Sequence, residues 1–103
     1  VFHRYSFDQS LVHTIMLSSE HNMTRGSAQY KFLEQDLSTI NRKITPWVVV
    51  ELHRPMYTNK KYRTSDAIGV AMRDEIEDLL HFHQIQVRNS LYLLNQMIHI
   101  LFC

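Results

Sequence analysis

The stretch "TPWVVVELHRPMYTN", residues 45–59, constrains this chain most. Trp47, Val48, Val49, Val50 and Leu52 surround a single Glu51, and the run ends on His53. A short, β-branched, nearly continuous apolar run predicts a strand covered on both faces rather than an amphipathic surface strand. Arg54-Pro55 then forces a turn, because proline biases the residue before it away from helix. A histidine is thereby held where a buried strand leaves its sheet, and such carboxyl-terminal strand ends are where α/β proteins gather ligands.

Two helices and a further strand are legible around it. Residues 11–22, "LVHTIMLSSEHN", predict a second buried strand, and "YSFDQS" an edge strand or turn with Tyr5 and Phe7 on one face. Gly26 suits a turn and Ser27 an N-cap, ahead of Tyr30, Leu33, Leu37 and Ile40 at helical spacing. Asn41-Arg42-Lys43 would place cations in that helix's last turn. A second helix is predicted from Ile68, Met72, Ile76, Leu79 and Leu80, with Ser65 or Asp66 as its cap. The order strand, helix, strand, helix predicts the α/β class with a largely parallel sheet. After Val87, "RNSLYLLNQMIHILFC" is apolar and lacks a clean period. It reads as a last helix, a last strand or sequence foreign to the fold.

Composition narrows the chemistry. The 103 residues make one small domain or a piece of a larger one. A net charge of +1 gives no field to attract nucleic acid or an anionic membrane. The single cysteine, Cys103, excludes an internal disulfide and a cysteine-based zinc site. The chain starts at Val1 with no leader-like segment, so it is expected to be a fragment. At His53 a neutral imidazole can bind a metal or meet a phosphate oxygen; a backbone-capping role accounts for the same position. His81 and His83 in "HFH" would stand about 200° apart on a helix and could not share a metal.

The residues also resemble a known family. "TPWVVVELHRPMY" is similar to the purple acid phosphatase stretch "TPWVVVxGHRPMY". The segment from Tyr5 to Trp47 resembles that family's "YSFDxGxVHFVxLSTEHD…GSxQYxWLExDLxxVDRxxTPW", and "GVAMRDEIEDLLHFHQIQV" resembles the helix that follows. The likeness runs from about Tyr5 to Val87. It implies a partial calcineurin-like metallophosphoesterase domain over 1–87, within a four-layer α/β/β/α sandwich, and a tail over 88–103 that departs from the pattern.

The resemblance further implies an acid phosphatase that hydrolyses phosphate monoesters with a hydroxide held on a binuclear metal centre, Fe(III) with Zn, Mn or Fe(II). The family's ligands come in the blocks GDxG, GDxxY, GNH(D/E), VxxH and GHxH. Val50-Glu51-Leu52-His53 matches VxxH, and the resemblance implies that His53 is a ligand of the divalent metal. The first three blocks would precede Val1, and the strand with GHxH would follow Val87, where the sequence departs abruptly. A frameshift, a retained intron or a gene-model error near Val87 is the expected cause. One ligand cannot hold two metals, so the fragment alone is expected to be inactive, and a non-catalytic remnant or interaction module of the same fold is the alternative.

Arg54 and Tyr57 follow His53 and are candidates for phosphate contacts, Arg54 bidentately; pairing of Arg54 with Glu51 or Asp66 is the competing role. Lys60, Lys61 and Arg63 read as a solvated loop. Glu20 and His21 match "STEH" and read as a strand-end turn or as support for the site, and His13 reads as packing. Asn22-Met23-Thr24 is an N-glycosylation sequon. The resemblance implies a secreted or vacuolar/lysosomal glycoprotein acting on a phosphate monoester, with no nucleic acid and no membrane as partner and a homodimeric parent left open.

Overall fold

The computed structural model describes residues 4–52, 64–93 and 96–102, with side chains over 4–52 and 68–85. The element order is β1 (Tyr5–Gln9), β2 (Val12–Met16), α1 (Ala28–Thr39), β3 (Trp47–Leu52), α2 (Thr64–Phe82), β4 (Gln86–Leu93) and β5 (Gln96–Phe102). The strands form one 5-stranded sheet in the order β1-β2-β3-β5-β4. The α/β class and the strand-helix-strand-helix portion stand as the sequence implied.

The sheet is mixed rather than largely parallel. Only β2 and β3 pair in parallel, joined through α1; β1 with β2, β3 with β5 and β4 with β5 are antiparallel. Two short connections explain this. Ser10-Leu11 turns β1 back onto β2, and residues 94–95 join β4 to β5, and connections this short return a chain only in the antiparallel sense. The segment after Val87, with no clean period in the sequence, thus continues the sheet beyond β3.

Strand alternation divides the side chains between two faces. Ile15, Val48, Val50 and Leu52 enter a core with Tyr30, Leu33 and Leu37 of α1 and Met72, Ile76 and Leu80 of α2. Tyr5, Phe7 and Trp47 fall on the opposite face and are exposed, Trp47 at 52%. Val49 is buried there yet stands outside the core cluster. Trp47 therefore does not share the dry environment read for the rest of its strand. Tyr5 and Phe7 do lie together, stacked with ring centroids 6.2 Å apart.

Helix ends explain the remaining differences. Asn22 and Gly26 shape the entry to α1: Asn22 Oδ1 accepts from Thr24 N, and Gly26 turns at φ 88°. Ser27 then caps α1, its hydroxyl accepting from Tyr30 N at 3.2 Å. The helix stops at Thr39, and Ile40 is extended at ψ 129°. Asn41 replaces the expected further turn: its side chain accepts from Lys43 N and its carbonyl from Ile44 N and Thr45 N. Asn41, Arg42 and Lys43 thus lie past the helix and bring no cation to its last turn.

α2 begins at Thr64, so Ser65 and Asp66 fall inside its first turn rather than capping it. Ile68 is half-turned from the core, 38% exposed. The helix ends in a Schellman motif. Ile85 N donates to Leu80 O and Gln84 N to His81 O, while Gln84 takes the left-handed conformation at φ 61°. Ile85 and Leu80 are both buried, the apolar contact that accompanies this motif.

Candidate functional site

Two polar regions stand at opposite ends of β2. The first is the rim where β2 and β3 end together. Leu17 N donates to Glu51 O at 2.9 Å, carrying the parallel pairing one residue beyond β2. Here the chain after β2 turns through Ser18–Asn22, and β3 reaches Leu52, the residue before His53. His53, Arg54 and Tyr57 themselves lie outside the described residues, as do Lys60, Lys61 and Arg63.

Gln29 organises this rim. It is 2% exposed on the first turn of α1. Its Oε1 accepts from Ser18 N at 2.7 Å, and its Nε2 donates to Ser18 O at 3.0 Å, with His21 O and Asn22 O each 3.4 Å away. A primary amide has both a donor and an acceptor, so one side chain pairs backbone groups of both kinds on the inner side of this part-buried turn. Ser18 adds a bond from its hydroxyl to His21 Nδ1 at 2.6 Å and accepts from Glu20 N at 3.3 Å. Glu20 Oε1 accepts from Ser19 Oγ at 3.5 Å. Glu20 and His21 thus belong to a hydrogen-bonded strand-end turn.

The second region surrounds His13 at the other end of β2. Asp8 lies directly across the hairpin from His13 in the β1–β2 register. The Asp8 carboxylate meets His13 Nδ1, and Asp36 of α1 meets Nε2 at 2.6 Å. Ser6 Oγ donates to the other oxygen of Asp36 at 2.7 Å. The imidazole and the Asp36 carboxylate are 12% and 16% exposed, the Asp8 carboxylate 62%. Burial alone would lower the basicity of His13; the hydrogen bonds and charges of Asp36 and Asp8 outweigh it and hold the imidazole above its ordinary value of 6.5. Ionised carboxylates only accept, so both bonds form fully when both ring nitrogens carry protons. Ser6 gives its proton to Asp36 and not to the imidazole, so the cluster is not an activated nucleophile.

His13 read as packing in the sequence, and the structure gives it two acidic partners. Half of this was legible. A two-residue loop at Ser10-Leu11 sets positions 8 and 13 across from one another. Asp36 is 23 residues away and joins only when α1 packs. Helical spacing gives no signal at Gln29, since a glutamine early in a helix reads as surface; its one mark is that it stands at the fixed Q of the pattern "GSxQYxW".

Among the described residues, no group of three or more His, Cys, Asp or Glu could hold a metal ion. His13 has both nitrogens occupied, and His83 lies in the turn beyond α2, after His81. The described residues therefore do not fit a binuclear centre. Nor is any helix among them long and apolar enough to cross a membrane.

Comparison with known proteins decides the relationship. No family model matches the chain. Over 83 residues, 81% of its length, it is 41% identical to "Probable inactive purple acid phosphatase 9" and 42% identical to "Purple acid phosphatase 22", both of Arabidopsis thaliana. The matched region belongs to the purple acid phosphatase family. Its fold agrees: the purple acid phosphatase PPD1 from yellow lupin (Lupinus luteus) seeds superimposes with a TM-score of 0.69 over 81% of this chain, at 21% identity. The chain spans 13% and 19% of the lengths of the two Arabidopsis relatives and 15% of the lupin chain.

Proposed function

We propose that the protein to which this sequence belongs is a metal-dependent acid phosphatase that hydrolyses phosphate monoesters, and that His53 is one of its metal ligands. The observation that carries this reading is the VxxH match at Val50–His53, set in a region that is about 40% identical to purple acid phosphatases. His53 follows the last residue of β3, the strand end at which α/β sheets bind ligands. In this reading the centre is binuclear, Fe(III) with Zn, Mn or Fe(II), and this region supplies one imidazole to it. Arg54 and Tyr57 meet the substrate phosphate. The protein is secreted or vacuolar and carries a glycan at Asn22. That residue is exposed, and its Oδ1 accepts from Thr24 N and Thr24 Oγ1, leaving the amide nitrogen for the sugar.

A second reading is a non-catalytic member of the same fold. One specific observation favours it: a relative at 41% identity is named as inactive, so likeness at this level spans both kinds. The 103 residues alone, with one ligand block, are inactive in either reading.

The test is made on the longest natural protein that carries the sequence. Its metal content and its hydrolysis of p-nitrophenyl phosphate at acid pH are measured beside the His53→Ala variant. The substitution is expected to lower metal content and to reduce kcat by at least ~100-fold, at or beyond the loss typical of disturbing a metal site's supporting shell. Full metal content without hydrolysis in the natural protein selects the non-catalytic reading. Unchanged metal content and rate in the variant remove His53 from the ligand set.

A further inference from the structure

We propose that Asp8, His13 and Asp36 form a proton-operated clamp, which fastens the tip of the β1–β2 hairpin to α1 when the imidazole carries two protons and releases it at Asp8 when it carries one. The inference rests on this cluster alone and not on the phosphatase reading.

The geometry determines which bond gives way. With one proton lost, the imidazole keeps a single N–H for two carboxylates. Asp36 is 16% exposed and cannot turn to water, whereas Asp8 is 62% exposed and can. The remaining proton therefore stays on Nε2, facing Asp36, and the bare Nδ1 lone pair faces the Asp8 carboxylate. Two acceptors in contact repel, and Asp8 moves to solvent. Ser6 continues to donate to Asp36, so the outer part of β1 remains tied while the tip loosens. β1 is an edge strand with β2 as its one neighbour in the sheet, and on the β2 side of the turn Leu11 O accepts from Trp47 N at 3.2 Å, so the part set loose is the β1 side, Asp8 to Ser10.

Other charges around the imidazole do not take over its role. Just before β1, the Arg4 guanidinium carbon lies 6.0 Å from the Phe32 ring centroid. Beyond α1, Arg42 donates to Pro46 O and His83 O, and Lys43 is exposed in its turn. β3 sets the uncharged Val48 beside His13. The open depression beside the imidazole is lined by Asp8, Thr39, Ile40, Asn41, Ile44 and Thr45, which gives water a path to the proton and brings no second titrating group except Asp8.

The sign follows from the raised basicity of His13 in the fold. The clamp is fully closed below the ordinary histidine value of 6.5 and is lost as pH rises through the higher folded value. Hydrogen–deuterium exchange of the natural protein, read on peptides from residues 4–16 and corrected for the intrinsic pH dependence of exchange, tests this. Protection of the hairpin should be flat below about pH 6.5 and then fall by up to about tenfold per pH unit, the limit for one linked proton. Peptides from α1 should not follow it.

Asp8→Asn should keep the fold, because the residue is exposed, and should flatten the profile, because an amide can pair with either protonation state of the ring. His13→Gln should flatten it as well. A flat profile in the natural protein overturns the clamp. So does an Asp8→Asn variant that keeps the natural slope, or an α1 that loses protection in step with the hairpin.

Discussion

Single residues carry more of this fold than their types suggest. Gln29 holds both backbone groups of Ser18 and lies near two more carbonyls, and it does so from a site that is 2% exposed. Gln29→Ala leaves the part-buried Ser18 N–H without its partner and is expected to cost about 1 kcal/mol in chemical denaturation, the lower end of the usual penalty for a stranded donor. A loss below about 0.5 kcal/mol would mean that water replaces the amide at no cost. Ser10 is the converse case. It turns the hairpin at φ 55°, a conformation that L-residues adopt at a penalty of roughly 1–2 kcal/mol. The family pattern "YSFDxGxVH" has glycine at this position, so Ser10→Gly should stabilise the chain by about 1 kcal/mol, read as a rise in the denaturation midpoint; a fall would show that the serine side chain compensates its backbone. The partners of Gln29 were not legible in the sequence. A polar side chain announces its partners only when they are neighbours in the chain, and those of Gln29 lie 7 to 11 residues away.

At the scale of elements, the hydrophobic period found both helices and the buried strands, because burying an apolar stripe is what makes those segments fold. Helix ends were less legible, because they depend on dihedrals that several residue types can adopt. Arg42 is the clearest example. Read as a cation for the last turn of α1, it instead donates to Pro46 O and, across 41 residues, to His83 O at the end of α2. It satisfies a carbonyl freed by the end of α2. Gln84, one residue later, occupies the left-handed position of the Schellman motif, where glycine is usual. Gln84→Gly should therefore raise the thermal midpoint by several degrees, corresponding to about 1 kcal/mol. An unchanged or lowered midpoint would indicate that the exposed glutamine side chain contributes contacts of its own. The same motif makes "HFH" a helix terminus, with His81 in the last turn of α2 and His83 beyond it, rather than two positions of one helix.

At the scale of the whole molecule, the two helices contribute to a core on one face of the sheet, and the two faces differ sharply. The class was legible from element order, but the mixed sheet was not, because pairing direction beyond β3 depends on a hairpin whose sequence has no turn signal and no clean period. The alternation of β1 and β3 also carries an implication that burial completes. Tyr5, Phe7 and Trp47 share the face away from the core, and all three are more than 40% exposed. An aromatic surface of this kind marks a contact face when it is contiguous. The region spans under one fifth of its relatives' length, and taken by itself it leaves this aromatic face open. The 103-residue chain on its own should therefore self-associate through it. Sedimentation at increasing concentration should show a rising average mass. Emission from Trp47, the single tryptophan, should shift to shorter wavelength over the same range. Phe7→Ser with Trp47→Ser should abolish the mass increase while leaving the helical circular dichroism intact, since neither residue belongs to the core cluster. Association that persists in the double variant would place the contact elsewhere, and a chain that stays monomeric at every concentration would show that the exposed aromatics are not adhesive.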